Sequence, residues 1–277
     1  RKQIMGALPV AFDNAFVAGG AVTSVFTNAK INDTDVYFKS RRAFETAVYQ
    51  AYEDGLWCVA ASKRAVTFAD RGGSIAQLMH FGFFPNAEDI FAAFDFTVCM
   101  GALDLDAGTK TKYNPVTHHF DTIGEEHPES GFVLHPDFLK HNSQRFLKIN
   151  AGTRYPLASA TRVLKYQQRG YTIGKGDMMK IALAVRGVAI NSWEDLKDQI
   201  GGAYGDKVFL GNEDKPFTLD AAIEALTVES AESEPWVQAD NDNLPGTPEG
   251  LLAHIASLNG VPFVAPPLGD DGWPLAA

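Results

Sequence analysis

Two short segments carry the residues best suited to chemistry. The first is Gly19-Gly20-Ala-Val-Thr-Ser24, the second Asp33-Thr34-Asp35-Val-Tyr-Phe38. Paired glycines at the end of a strand let backbone N–H groups approach a phosphate closely. Ser24 adds a hydroxyl donor one turn further on. Asp33 and Asp35 stand at i and i+2 at the start of a strand, so both carboxylates project to one side. Two like charges held together are costly unless a divalent cation lies between them. A phosphate cradle beside a Mg²⁺-binding carboxylate pair is the minimum equipment for phosphoryl or nucleotidyl transfer by two metals.

The surrounding pattern supplies elements to hold these groups. Residues 1–11 read as a helix with Ile4, Met5 and Leu8 on one face. Ala15 to Ala18 is a short buried strand, and Ala21 to Phe26 opens a helix. Asp35 to Phe38 is a strand. Ser40 to Tyr52 is a helix with Ser40 as N-cap. Strands follow at about 57–60, 65–69 and 75–81, with Arg71-Gly72-Gly73-Ser74 as a hairpin turn. Asn86 caps a helix ending near Phe94, and Phe94 to Leu103 reads as an apolar strand interrupted by Asp95. From Pro136 the pattern becomes helical, at about 136–143, 157–169, 176–186, 192–200 and 218–228. The expected organisation is a mixed α/β part over 1–135, a helical part over 136–228 and an acidic Pro/Gly-rich extension over 229–277.

Charge is distributed unevenly. The chain has 277 residues, 24 Lys+Arg and 34 Asp+Glu, for a net charge of −10. Residues 229–277 hold eight acids and no Lys or Arg, whereas 140–186 holds ten basic residues against Asp177 alone. The total therefore argues against a protein basic all over, but not against a local polyanion-binding surface. Within the acidic extension, Thr247 to Leu258 reads as a short capped helix able to dock locally. Cys58 and Cys99 lie in apolar runs without a CxxC partner, which makes a disulfide or zinc framework unexpected and a reducing cytoplasm the simplest compartment. No apolar run approaches the ~18–20 residues of a membrane span, and the N-terminal residues carry no secretory pattern. His118, His119, His127, His135 and His141 cluster in sequence at spacings that fit no metal motif, so they read as loop and cap histidines. Lys39, Arg41 and Arg42 follow the aspartate strand and open a helix. They are placed either to meet a triphosphate or acceptor backbone, or to form a solvated helix start.

The run Val17-Ala-Gly-Gly-Ala-Val with Asn32-Asp-Thr-Asp-Val-Tyr-Phe38 resembles the nucleotidyltransferase signature of the DNA polymerase β superfamily. More narrowly it resembles the head of tRNA nucleotidyltransferases (CCA-adding enzymes) and bacterial poly(A) polymerases. Phe94-Asp-Phe-Thr-Val-Cys-Met-Gly-Ala102 is similar to that family's Arg-Arg-Asp-Phe-Thr-Ile-Asn-Ala-Met-Ala motif. Arg162-Val-Leu-Lys165-Tyr-Gln-Gln-Arg-Gly-Tyr-Thr-Ile173 is similar to its neck helix. The likeness covers roughly residues 10–190.

The resemblance implies an α+β fold: a nucleotidyltransferase head with a small mixed sheet flanked by helices, then an all-helical neck or body. It implies that Gly19, Gly20 and Ser24 hold an NTP triphosphate; Lys39, from its place after the aspartate strand, is the further expected nucleotide contact. Asp33 and Asp35 would bind two Mg²⁺ ions and activate the acceptor hydroxyl. Asp95 would contact the ribose or act as a third carboxylate, and Arg162 and Lys165 would lie near the incoming base or the acceptor. The sequence also departs from the family. The family's Gly-Gly-x-Val-Arg-Asp is here Gly-Gly-Ala-Val-Thr-Ser, Ala93-Phe94 replace two arginines, and Gln77 stands where a third carboxylate is expected. Tyr155-Pro156 and Ser159 replace the neck residues that template C and A, so C-C-A addition is not expected. The expected activity is Mg²⁺-dependent transfer of an NMP from an NTP to an acceptor hydroxyl, with an RNA 3′ end reached through the 140–186 segment as leading acceptor. The alternatives are transfer to a protein or small molecule, as in a toxin, or a degenerate binding module in a virus-encoded assembly.

Overall fold

The computed structural model describes the chain except residues 108–109, 115–118, 124–130, 151–152, 201–211, 213, 232–243, 271 and 276–277. His118, His127 and five of the eight acidic residues of the extension (Glu232, Glu234, Asp240, Asp242 and Asp271) lie outside the described residues.

The chain is α+β. The opening helix α1 (Lys2–Met5) is one turn, shorter than the expected 1–11. Gly6 closes it, and Pro9 removes the N–H that a continuing helix needs. Its apolar spacing is nonetheless used, because Ile4 and Leu8 are buried in the main core. Then come β1 (Ala15–Ala18), α2 (Gly20–Phe26), β2 (Thr34–Phe38) and α3 (Arg41–Glu53). Strands β3 (Trp57–Ala61), β4 (Ala65–Ala69) and β5 (Ile75–Met79) follow, then α4 (Ala87–Ala92). Two N-caps read from sequence are formed: the Ser40 side chain accepts from Ala43 N–H, and Asn86 accepts from Asp89 N–H.

After α4 the expected strand over 94–103 divides. Phe94 and Asp95 leave the sheet, Phe96 bridges to Ile149, and Thr97–Cys99 forms a 3₁₀ turn. Only β6 (Gly101–Asp104) joins β1. The reason is a distant partner: Asn150 N–H donates to the Asp95 carbonyl at 2.6 Å, and Thr97 N–H donates to the Lys148 carbonyl at 3.1 Å. Strands β7 (Lys110–Asn114) and β8 (His119–Ile123) form a separate hairpin, and β9 (Phe132–Leu134) returns to β6.

The main sheet has seven strands in the order β3-β4-β5-β2-β1-β6-β9. All its pairs are antiparallel except β2 with β5, which is parallel and sets Asp35 opposite Gln77. Antiparallel β1 and β2 set Ala18 opposite Asp35, so the Gly-Gly turn and the aspartates share one end of the sheet.

The later chain is helical: α5 (Phe138–Ser143), α6 (Pro156–Gln168), α7 (Lys175–Arg186), α8 (Trp193–Ile200), α9 (Leu219–Ala231) and α10 (Pro248–Leu258). One addition is a short parallel pair, β10 (Phe146–Leu147) with β11 (Thr172–Ile173). Helix α6 is fixed to the 3₁₀ turn and to β10 by a buried cluster of Phe96, Val98, Cys99, Leu147, Ile149, Val163 and Tyr166. Helix α10, capped by Thr247, docks as its pattern suggests: Leu251, Leu252 and Ile255 enter the same core as Val36, Phe38 and Phe44. Among the described residues no helix is long and apolar enough to cross a membrane.

Candidate active site

The site lies where β1 ends and β2 begins. Gly19 has φ +78° and ψ −128°, a backbone state open to glycine alone. Its N–H donates to the Gly101 carbonyl at 3.0 Å. A Cβ there would stand 3.6 Å from the Phe94 ring and 3.8 Å from Asp35 Oδ2, so glycine keeps open the space between them. Gly20 begins α2. Ser24 is half-buried one turn later. Thr23, in the position of the family arginine, bonds the Gly19 carbonyl at 3.1 Å and the Val98 carbonyl at 2.8 Å through its hydroxyl. It ties α2 to the 3₁₀ turn rather than offering charge.

Asp33 Oδ2 accepts from Gln77 Nε2 at 3.1 Å. Asp35 is pushed up to about 7, first by burial and then by the negative charge of Asp33, while Arg162 and Lys165 pull it back. Further along the same face, burial raises the Tyr37 phenol well above its ordinary range, and Asp35 adds to the effect. The pair thus sets two hard oxygen donors side by side, with Arg162 and Lys165 offsetting part of their mutual repulsion. That donor set, without His or Cys, is of the kind Mg²⁺ takes, and Asp33 and Asp35 would be the residues to hold it. Among the described residues no group of three or more His, Cys, Asp or Glu is gathered to hold a metal.

Helix α6 supplies the opposite wall. Arg162 Nη1 donates to both Asp95 oxygens at 2.9 Å, and Asp95 is itself buried. The carboxylate holds the guanidinium charged. Asp95 is therefore engaged with α6, and no third carboxylate joins Asp33 and Asp35 in a metal-holding group among the described residues. Arg162 Nη2 also reaches Cys99 Sγ at 3.6 Å, and Cys99 Sγ lies 2.6 Å from the Tyr166 hydroxyl. Burial raises the Cys99 thiol, which keeps it neutral. Burial, Arg169 and Arg162 lower the Lys165 ammonium, and Asp33 and Asp35 partly restore it. One turn of α6 therefore brings two cations within electrostatic reach of the aspartates.

Of the residues expected at the site, the fold brings together Gly19, Gly20, Asp33, Asp35, Arg162 and Lys165, with Asp95 attached through Arg162. It places Lys39 elsewhere. Lys39 lies off the far end of β2, roughly 13 Å of strand beyond Asp35. There it pairs with Asp104 at 2.9 Å and Asp106 at 2.7 Å, over the Phe16 ring. Arg42 is likewise occupied, bonding the carbonyls of Pro267 and Leu275. His135 and His141 serve locally, accepting from Asp137 N–H and pairing with the Thr97 hydroxyl. Phe94, Cys99 and Tyr166 lie in the two family-like motifs, but their parts in the site's frame join distant segments and were not read from the sequence.

A mixed-sheet α+β protein with a paired-carboxylate, cation-faced cleft is the class that fold and site define. The chain belongs to the Gabija anti-defense 2 family, whose model matches residues 3–145. It is 40% identical over 217 residues to Gabija anti-defense 2 of Bacillus phage SPbetaL7, covering 77% of this chain and 48% of that protein. The chain thus spans about half the length of the curated relative it matches. Among solved structures it is similar to the Thermotoga maritima CCA-adding enzyme complexed with tRNA, at TM-score 0.46 and 14% identity over 87% of this chain and 58% of the other. It is also similar to the Bacillus stearothermophilus CCA-adding enzyme in complex with CTP, at TM-score 0.41 and 15% identity over 70% and 46%.

Proposed function

We propose that the chain is a Mg²⁺-dependent nucleotidyltransferase whose activity serves opposition to the Gabija defence named by its family. The observation that carries the reading is the Asp33–Asp35 pair beside Gly19, with Ala18 opposite Asp35 in the sheet and Arg162 and Lys165 of α6 within electrostatic reach. Bound Mg²⁺ would supply charge compensation and polarise the reacting oxygens. The chain's own groups do the remainder. The Gly19-Gly20 turn and Ser24 present donors to the phosphates. Arg162, fixed by Asp95, and Lys165 offer positive charge to the triphosphate and to the departing pyrophosphate. In the step itself, the acceptor oxygen bonds to the α-phosphorus, the bond from that phosphorus to the β-phosphate bridging oxygen breaks, and the hydroxyl proton leaves to solvent as pyrophosphate departs.

The leading acceptor is an RNA 3′ end. Nine of the ten basic residues between 140 and 186 are exposed, and the segment includes both cations at the site. A second reading, transfer to a protein of the defence system, is favoured by the family membership. Incubation with labelled NTP against total RNA and against the purified defence proteins separates the two. RNA labelling supports the first, protein labelling the second, and labelling of neither removes the transferase reading.

A further inference from the structure

A cleft lies between helix α5 and the end of α2 opposite Gly19-Gly20. It encloses about 610 Å³ and is lined by Phe26, Thr27, Asn28, Leu139, Lys140, Asn142, Ser143 and Arg145. Its lining contains two cations and no acid. Its apolar part is open to solvent: Phe26 is 42% exposed and Leu139 53% exposed. Phe26 is also held rigid, edge to face against Phe132 and Phe138 at 5.5 Å each. A fixed aromatic surface flanked by cations is the composition that sequence-tolerant single-strand binding uses.

The cleft is linked to the aspartates by a continuous basic path. Arg162, Lys165 and Arg169 stand at i, i+3 and i+7 of the α6 region, on one face. Arg162, Arg169, Asp33 and Asp35 all lie within electrostatic range of Lys165. Arg145 Nη1 then donates to the Arg169 carbonyl at 2.8 Å, joining the end of α6 to the lip of the cleft. Lys140, Arg145, Lys165 and Arg169 form no ion pair with a described residue, unlike Lys148 and Lys180, which share Asp177. Like charges in a row repel one another, and a bound polyanion lowers that cost.

From this juxtaposition we infer that the α2–α5 cleft is the binding site for the single-stranded stretch leading to the acceptor's 3′ end. The strand's phosphates follow Lys140, Arg145, Arg169 and Lys165 toward Asp33 and Asp35, and a base stacks on Phe26. The inference rests on the transferase reading for the strand's direction, but the cleft's affinity for single-stranded RNA is measurable without turnover. An acidic protein surface is the competing class of partner, and the aromatic floor favours nucleic acid over it.

The test is fluorescence anisotropy with a 5′-labelled, mixed-sequence single-stranded RNA 12-mer, titrated from 50 to 200 mM salt. The wild-type chain is compared with Lys140→Gln and with Lys140→Gln/Arg145→Gln. Lys140 is exposed on a helix surface, so the single variant guards against a folding failure in the double one. The slope of log affinity against log salt is expected to fall by about 0.7 for the single variant and about 1.4 for the double. Slopes and affinities equal to wild type overturn the cleft, as does a wild-type chain that binds no oligonucleotide. Calorimetric titration of the wild-type chain with Mg-ATP reads the parent proposal separately. RNA binding that depends on the cleft in a chain without ATP binding would keep the cleft and remove the transferase.

Discussion

Asp35 is the residue on which the site's chemistry turns. Its carboxyl is raised from 3.8 to about 7 in the folded chain. A group that holds its proton more tightly when folded stabilises the fold fully below its unfolded value, and that contribution is lost as pH rises through the folded value. In divalent-free buffer, thermal melts of wild type should therefore lose stability between about pH 4 and pH 7 relative to Asp35→Asn. Adding Mg²⁺ at pH 7.5 should raise the wild-type Tm and leave that of Asp35→Asn nearly unmoved. Arg162 and Lys165 differ in kind. Arg162→Ala strands Asp95, which is 6% exposed, and should cost about 2–3 kcal/mol by chemical denaturation. Lys165→Ala, exposed and without an ion pair to a described residue, should change stability by less than about 0.5 kcal/mol while weakening NTP binding. At this scale Gly19, Asp33 and Asp35 were legible because the chemistry is written in adjacent residues. The engagement of Asp95 by Arg162 was not, because 67 positions separate them. Lys39 was misplaced because it follows the aspartates in sequence yet leaves the strand at its other end, where Asp104 and Asp106 await it.

Elements followed the sequence where local signals were complete. Ser40 and Asn86 cap α3 and α4 through their own side chains, and the β4–β5 turn falls at Arg71–Ser74. They departed where the deciding partner was distant. The apolar run after Phe94 has strand composition, but pairing with 148–150 draws its first half out of the sheet and places Asp95 beside α6. Helix α10 shows the same principle in the opposite sense. Its capped, amphipathic sequence announced a helix, but not that Leu251 would be fully buried in the sheet's core. Leu251→Ala should lower unfolding free energy by about 3 kcal/mol in urea titration, as for an internal core leucine. A helix resting loosely on the surface would lose less than about 1 kcal/mol.

For the whole molecule, the net charge of −10 conceals a division of labour. The described part of the acidic extension lies on α3: Glu249 accepts from the Tyr49 hydroxyl at 2.8 Å, and Arg42 bonds the carbonyls of Pro267 and Leu275. Lys165, Arg169 and Arg145 stay exposed on the helical side, with Lys165 within electrostatic range of Asp33 and Asp35. An acidic chain thus presents a local basic path ending at a paired-carboxylate site, an arrangement suited to bringing an anionic acceptor to an NTP. The most direct test is incubation of the chain with Mg²⁺, each α-labelled NTP and total RNA, alongside the Asp33→Ala/Asp35→Ala variant. Label entering RNA with the wild-type chain and vanishing with the double variant is the predicted result. Undiminished labelling by the double variant, or none by the wild-type chain, contradicts the account.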